Sequence, residues 1–233
     1  MTKAFKGRGS GELIVAEGDL RNPGLIADRI VDAIRHVVMD SSFVGHGRAG
    51  TLTDEQLVKI LTVENSTVDN VTTPLYIAAS RFSRTTAGDF LADVVRGVRV
   101  DKANCLLASQ SIGAPPEGHP GLQQPPEAYA YAGYISWLCL HGGRTSLALL
   151  VYVDFVLAHE ACVAIVPQLE RRAGLPREVI DYFSMYVPRP TGVLDAAVTV
   201  MKEGMAAGED LQEAVDAVAM MGHYLGAFWA VAA

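Results

Sequence analysis

Apolar residues recur at three- and four-residue steps along most of this chain, which is the spacing of one helical face. Asn22 is placed to cap a helix with Pro23 at its first position. Leu25, Ile26, Ile30, Ile34, Val37 and Val38 then carry the stripe to an end near Asp40. Gly45, Gly47 and Gly50 are expected to mark a loop. Thr53 followed by Gln56 is a capping box. From it runs a stripe of Leu57, Ile60, Leu61, Val68, Val71, Leu75 and Ala78, with Pro74 expected to kink or divide the helix. The next helix is predicted over about 86–98, with a short one near Leu106. Residues 111–126 are dense in proline and glycine and read as a long loop.

Further helices are predicted over 127–140, 144–172, 177–187, 192–207 and 210–229. The stretch from Arg144 to Arg172 is apolar nearly all round, which belongs at the centre of a bundle. No alternating strand pattern and no internal repeat is found. The expected architecture is all-α, a single bundle of about seven or eight helices over 22–233. Residues 1–21, punctuated by Gly7, Gly9 and Gly11, are expected to form an N-terminal arm. That run lacks the Lys-Ser/Thr and the strand–helix context of a phosphate loop.

Composition narrows the function. Half of the 233 residues are hydrophobic and 19% are charged, a foldable balance. Lys+Arg is 19 against Asp+Glu 26, a formal net charge of −7, so no nucleic-acid footprint is expected. The longest apolar stretch, 147–167, is interrupted by Asp154, His159 and Glu160, so no membrane span is expected. The start lacks the apolar core of a signal peptide. Cys105, Cys139 and Cys162 form no CxxC pair and predict reduced thiols in a cytoplasmic protein.

Candidate chemistry sits where polar residues interrupt apolar faces. Glu64 falls inside its stripe, three after Leu61 and four before Val68, and so points to the core. Glu160 lies in the apolar central helix, and a buried carboxylate needs a cation, a metal or a proton. Asp154, His159 and Glu160 point in three directions from a straight helix and face different neighbours. His223 sits one position off the last stripe and is either a ligand, a base or a boundary histidine. Tyr182 and Tyr186, four apart, either line a cavity or pack the core; Glu64, Glu160 and Tyr186 are the catalytic candidates. Glu-x-x-His and His-Glu-x-x-His strings are absent.

The segment 50–84, with Glu64-Asn-Ser and Pro74-Leu-Tyr-Ile-Ala, the segment 154–174 around Glu160, and the ending His223-Tyr-Leu-Gly-Ala-Phe-Trp229 together resemble the haem-oxygenase-like superfamily. Its members include thiaminase II (TenA), pyrroloquinoline-quinone synthase and haem-oxygenase-like dimetal oxidases. The resemblance implies a helical bundle with Glu64 and Glu160 at carboxylate positions over a cavity. The TenA catalytic cysteine falls near Asp154, and its glutamate before Phe-Trp falls at Leu225. The dimetal oxidases' His-x3-Asp-x2-His string is replaced after Tyr182-Phe183, and their second-helix histidine falls at Val71. A metal site therefore has to recruit Asp154, His159, Asp216 or His223 beside the two glutamates.

The leading expectation is a small-molecule oxidase or oxygenase of a biosynthetic pathway, with non-haem iron, one or two atoms, held by Glu64, Asp154, His159, Glu160 and His223. The first alternative is a cofactor-independent enzyme of the TenA or quinone-synthase kind on a small heterocyclic substrate. The second is a non-catalytic small-molecule-binding or scaffold bundle. The extent of apolar face also predicts a homodimer.

Overall fold

The computed structural model describes residues 22–114 and 126–232. The expected N-terminal arm and most of the 111–126 loop lie outside them. The described residues hold nine helices and no strand: α1 Pro23–Met39, α2 Ser42–Ala49, α3 Asp54–Arg81, α4 Thr86–Ser111, α5 Pro126–His141, α6 Arg144–Leu169, α7 Arg177–Ser184, α8 Thr191–Ala206 and α9 Leu211–Ala230.

Local chemistry sets the helix starts. Asn22 Oδ1 accepts from the Leu25 N–H at 3.3 Å, and Pro23 fills the first turn of α1. The Thr53–Gln56 box forms in both directions, at 3.2 and 3.1 Å. α6 has no cap of its own. Glu209, from the turn before α9, supplies one, accepting from the Thr145 N–H at 2.7 Å and from Arg144 Nε at 2.8 Å. Burial pushes the Glu209 carboxyl up, but the Thr145 and Arg144 hydrogen bonds outweigh it and hold the group below its ordinary value.

α6 is the axis of the molecule and packs against α1, α2, α7, α8 and α9, while α3 lies between α4 and α5. By length and composition α6 is apolar enough to cross a membrane, yet most of it is buried in the bundle. Its mostly buried first part, through Leu157, explains the all-round apolar composition. Small residues let the helices close on it. A Cβ built on Gly204 of α8 would fall 2.1 Å from Thr145 Oγ1, and one on Gly47 of α2 would fall 2.3 Å from Ile165 Cγ2.

Three expectations about elements are corrected. The glycines at 45 and 47 lie within α2, capped by Ser41 and closed by Gly50 at φ +69°, and Phe43 and Val44 bury fully. The expected 86–98 helix and its short successor are one helix, α4. Its inner face continues through Val94, Val98, Asp101, Cys105 and Ala108, spaced four, three, four and three apart. The charged run Arg99–Lys102 disguises that continuity. α3 also runs unbroken past Pro74.

Candidate active site

A cavity of about 260 Å³ opens where α3, α4, α5, α6, α7 and α9 converge. α3 contributes Glu64 and Thr67 from its apolar stripe, α4 contributes Asp101, and α6 contributes Asp154 and Cys162. Tyr131 comes from α5, Tyr182 from α7 and Tyr186 from the connector that follows it. Leu225, Phe228 and Trp229 of α9 close the apolar side. Three carboxyls thus share one largely apolar chamber, and the described residues that line it include no Lys, Arg or His.

The electrostatics follow from that composition. Burial, then the charges of Asp101 and Asp154, push the Glu64 carboxyl well above its ordinary value, with Tyr182 pulling weakly the other way. Burial drives Asp101 up to about 6 from an ordinary 3.8; the Tyr186 and Tyr182 hydroxyls moderate this, and Asp154 adds to it. Asp154 is raised by burial and restrained by Tyr131, whose hydroxyl donates to Asp154 Oδ1. Glu64 and Asp154 keep some accessible surface as members of the cavity wall, while their carboxyls lie too deep for bulk water to screen.

Tyr131, Tyr182 and Tyr186 are all raised well above the ordinary phenol value, chiefly by burial and then by the nearby acids. They are neutral hydrogen-bond donors at physiological pH. Burial also raises Cys162 and Cys105, with Glu64 and Asp101 adding to both shifts. Cys105 Sγ donates to the Leu61 carbonyl at 3.6 Å. Neither thiol is an activated nucleophile.

The six residues singled out from the sequence divide. Glu64, Asp154 and Tyr186 meet at the cavity. Glu160, His159 and His223 do not line it, which corrects their shared placement in one ligand set. Helix geometry accounts for the first two, since Glu160 lies about 240° and His159 about 140° round α6 from Asp154. Cys162, eight residues on and about 80° round the helix from Asp154, still borders the cavity. Glu160 is held by Arg35, with Nε to Oε2 at 2.7 Å and NH2 to Oε1 at 3.0 Å. His159 Nδ1–H donates to the Tyr186 carbonyl at 3.0 Å, which fixes the connector. His223 is exposed on α9.

The expected iron ligand set is therefore not assembled. Among the described residues no group of three or more His, Cys, Asp or Glu side chains is placed to hold a metal ion. The cavity carboxyls do not form such a group, and no imidazole of the described residues lines the chamber. That donor set does not fit non-haem iron.

Asp101, Tyr131 and Tyr182 complete the site. Asp101 had the same signal as Glu64, a carboxylate in register with an apolar helical stripe. Tyr131 carried none, because α5 is rich in tyrosine and alanine throughout.

The arrangement is that of a haem-oxygenase-like fold. Among solved structures, the chain is similar to a TenA homologue from Pseudomonas syringae pv. tomato, with TM-score 0.73 and 12% identity over 99% of each chain. It is also similar to a TenA homologue from Pyrococcus furiosus, with TM-score 0.71 and 13% identity over 89% of this chain and 99% of that one. A domain of unknown function with a haem-oxygenase-like fold from Shewanella denitrificans matches at TM-score 0.69 and 12% identity, over 88% of each chain. No protein-family model and no curated protein matches the sequence.

Proposed function

We propose that this protein is a cofactor-independent enzyme of the TenA kind, acting on a small heterocyclic substrate by acid–base catalysis. The observation that carries the proposal is the set of three buried carboxyls, Glu64, Asp101 and Asp154, with raised proton affinity in one apolar cavity. A general acid or base works best when its pKa lies near the working pH, and burial is the usual means of raising a carboxyl to it. Glu64 is the proton donor, because its burial and the neighbouring acids keep it protonated. Asp101, at about 6, exchanges its proton near neutrality. Tyr131 and Asp154 form a hydrogen-bonded pair facing the substrate. The resemblance puts Asp154 near TenA's catalytic cysteine, so the chemistry proceeds here without a thiol nucleophile. Similarity in fold to TenA homologues supports this choice, although a fold alone carries no activity.

The test begins with metabolite capture, in which purified protein is equilibrated with a small-molecule extract and the retained compound is identified by mass spectrometry. Turnover of that compound should persist in the presence of a chelator. It should fall by about 10²–10⁴-fold in Glu64→Gln, the loss typical of a missing general acid. Turnover that requires added Fe(II) and oxygen, or that survives both Glu64→Gln and Asp154→Asn, would exclude the proposal.

A further inference from the structure

Among the described aromatic residues of the cavity wall, Tyr186 alone lies outside a helix. It stands two residues past the end of α7, where carbonyls have no following helical N–H to accept. A helix holds its side chains through its own hydrogen bonds, and a connector residue has to be held by something else. The Tyr186 N–H donates back to the Phe183 carbonyl at 3.3 Å. Asn104 of α4 touches the preceding residue through Met185 Sδ at 3.8 Å, a weak acceptor. The Tyr186 carbonyl accepts from His159 Nδ1 of α6 at 3.0 Å. A carbonyl only accepts, so Nδ1 carries a proton whether the ring is neutral or charged. His159 is half-buried and outside the cavity lining, so its ring grips the connector from behind.

The side chain held in this way belongs to the cavity. Tyr186 lines it together with Asp101, and its ring meets Tyr182 edge-on, with centroids 6.0 Å apart and planes at 78°. Its hydroxyl is the strongest influence opposing the rise that burial imposes on Asp101, ahead of the Tyr182 hydroxyl. Hydrogen bonds weaken steeply with distance and angle. A displacement of the connector therefore reaches the Asp101 carboxyl.

Resting on the acid–base reading above, we propose that His159 is a positioning residue, which by holding the Tyr186 carbonyl seats the Tyr186 hydroxyl against Asp101. It touches no substrate and transfers no proton. What it sets is the geometry through which a connector residue acts on a cavity acid.

The test follows the Asp101 titration by carboxyl ¹³C NMR of aspartate-labelled protein, its signal being the one missing from Asp101→Asn. Tyr186→Phe removes the hydroxyl and should raise proton affinity about tenfold, as for loss of one hydrogen bond to a carboxylate. His159→Leu should raise it in the same direction, by at least about threefold, and should add nothing to Tyr186→Phe. His159→Asn keeps an N–H near the place of Nδ1 and should restore the original midpoint. His159→Gln sets its amide one bond further out and should not. All three His159 variants lack the imidazole charge, so recovery in His159→Asn separates placement from charge. Asp101 is also faced by Glu64 from α3, Asp154 from α6, Tyr182 from α7 and the Cys105 and Cys162 thiols, which every variant retains. Thermal melts establish that each variant is folded. An unmoved midpoint in Tyr186→Phe or in folded His159→Leu, or equal shifts in His159→Leu and His159→Asn, would overturn the positioning role. If the midpoints move as expected while turnover survives both Glu64→Gln and Asp154→Asn, the positioning of Tyr186 stands and the acid–base reading falls.

Discussion

Glu160 and Arg35 meet across 125 positions of chain, and their two hydrogen bonds are the forked geometry in which a guanidinium grips a carboxylate. Arg35 also reaches Asp32 at 2.5 Å, and both acids together push its pKa further up. Such a pair fastens α1 to α6, and it is partly open to water, with side-chain exposures of 40% and 23%. Its worth is accordingly modest, on the order of 1 kcal/mol. Glu160→Gln should lower stability by about that amount and leave cavity binding and turnover unchanged. Urea denaturation beside a ligand titration checks both halves, and a variant that stays stable but loses turnover would return Glu160 to the site. Glu160 was readable as a carboxylate in an apolar helix, but nothing local announces a partner 125 residues away. Glu64 was placed correctly because its register with Leu61 and Val68 settles its direction, and the same register on α4 was available for Asp101.

Among the helices, sequence was most informative where a stripe begins at a cap. α1 and α3 start where Asn22 and Thr53 predict. Thr53→Ala removes the accepting half of the capping box and should cost about 1 kcal/mol. For a chain of this length that corresponds to a fall in Tm of roughly 2–4 °C. An unchanged melting temperature would show that tertiary packing, and not the cap, fixes the start of α3. Packing also overrides local sequence in α2, where the glycines predict a break and a helix forms. Gly47 is there because α2 lies so close to Ile165 that a Cβ has no room. Gly204 serves the same purpose where α8 crosses the start of α6. Gly204→Ala would drive a methyl group into Thr145 Oγ1 and toward Glu209 Oε2, the carboxylate that caps α6. A cost of about 1–3 kcal/mol is expected, measured by chemical denaturation. A smaller cost would mean that α8 can lift from α6 without disturbing the cap.

For the molecule as a whole, the cavity acids make folding itself sensitive to pH. The folded state holds protons on Asp101, Glu64 and Asp154 over a range in which the unfolded chain has released them. Stability therefore falls as pH rises. For Asp101 the contribution is complete below its ordinary 3.8 and is lost as pH climbs through about 6. For Glu64 the loss begins above 4.5 and extends further, because burial and two neighbouring acids raise it well above that value. Glu209 acts with the opposite sign: its lowered pKa gives stability above its ordinary value that is lost on acidification, but it is one partly exposed group against three in the cavity. The denaturation midpoint should thus be higher at pH 5.5 than at pH 7.5. Asp101→Asn and Glu64→Gln should each flatten that difference and raise stability at the upper pH, since each removes a carboxyl that must otherwise ionise in an apolar chamber. If the variants keep the full pH dependence, its source lies outside the cavity. In that case the three carboxyls are better hydrated than their surroundings indicate, and acid–base chemistry by Glu64 and Asp101 loses its physical basis.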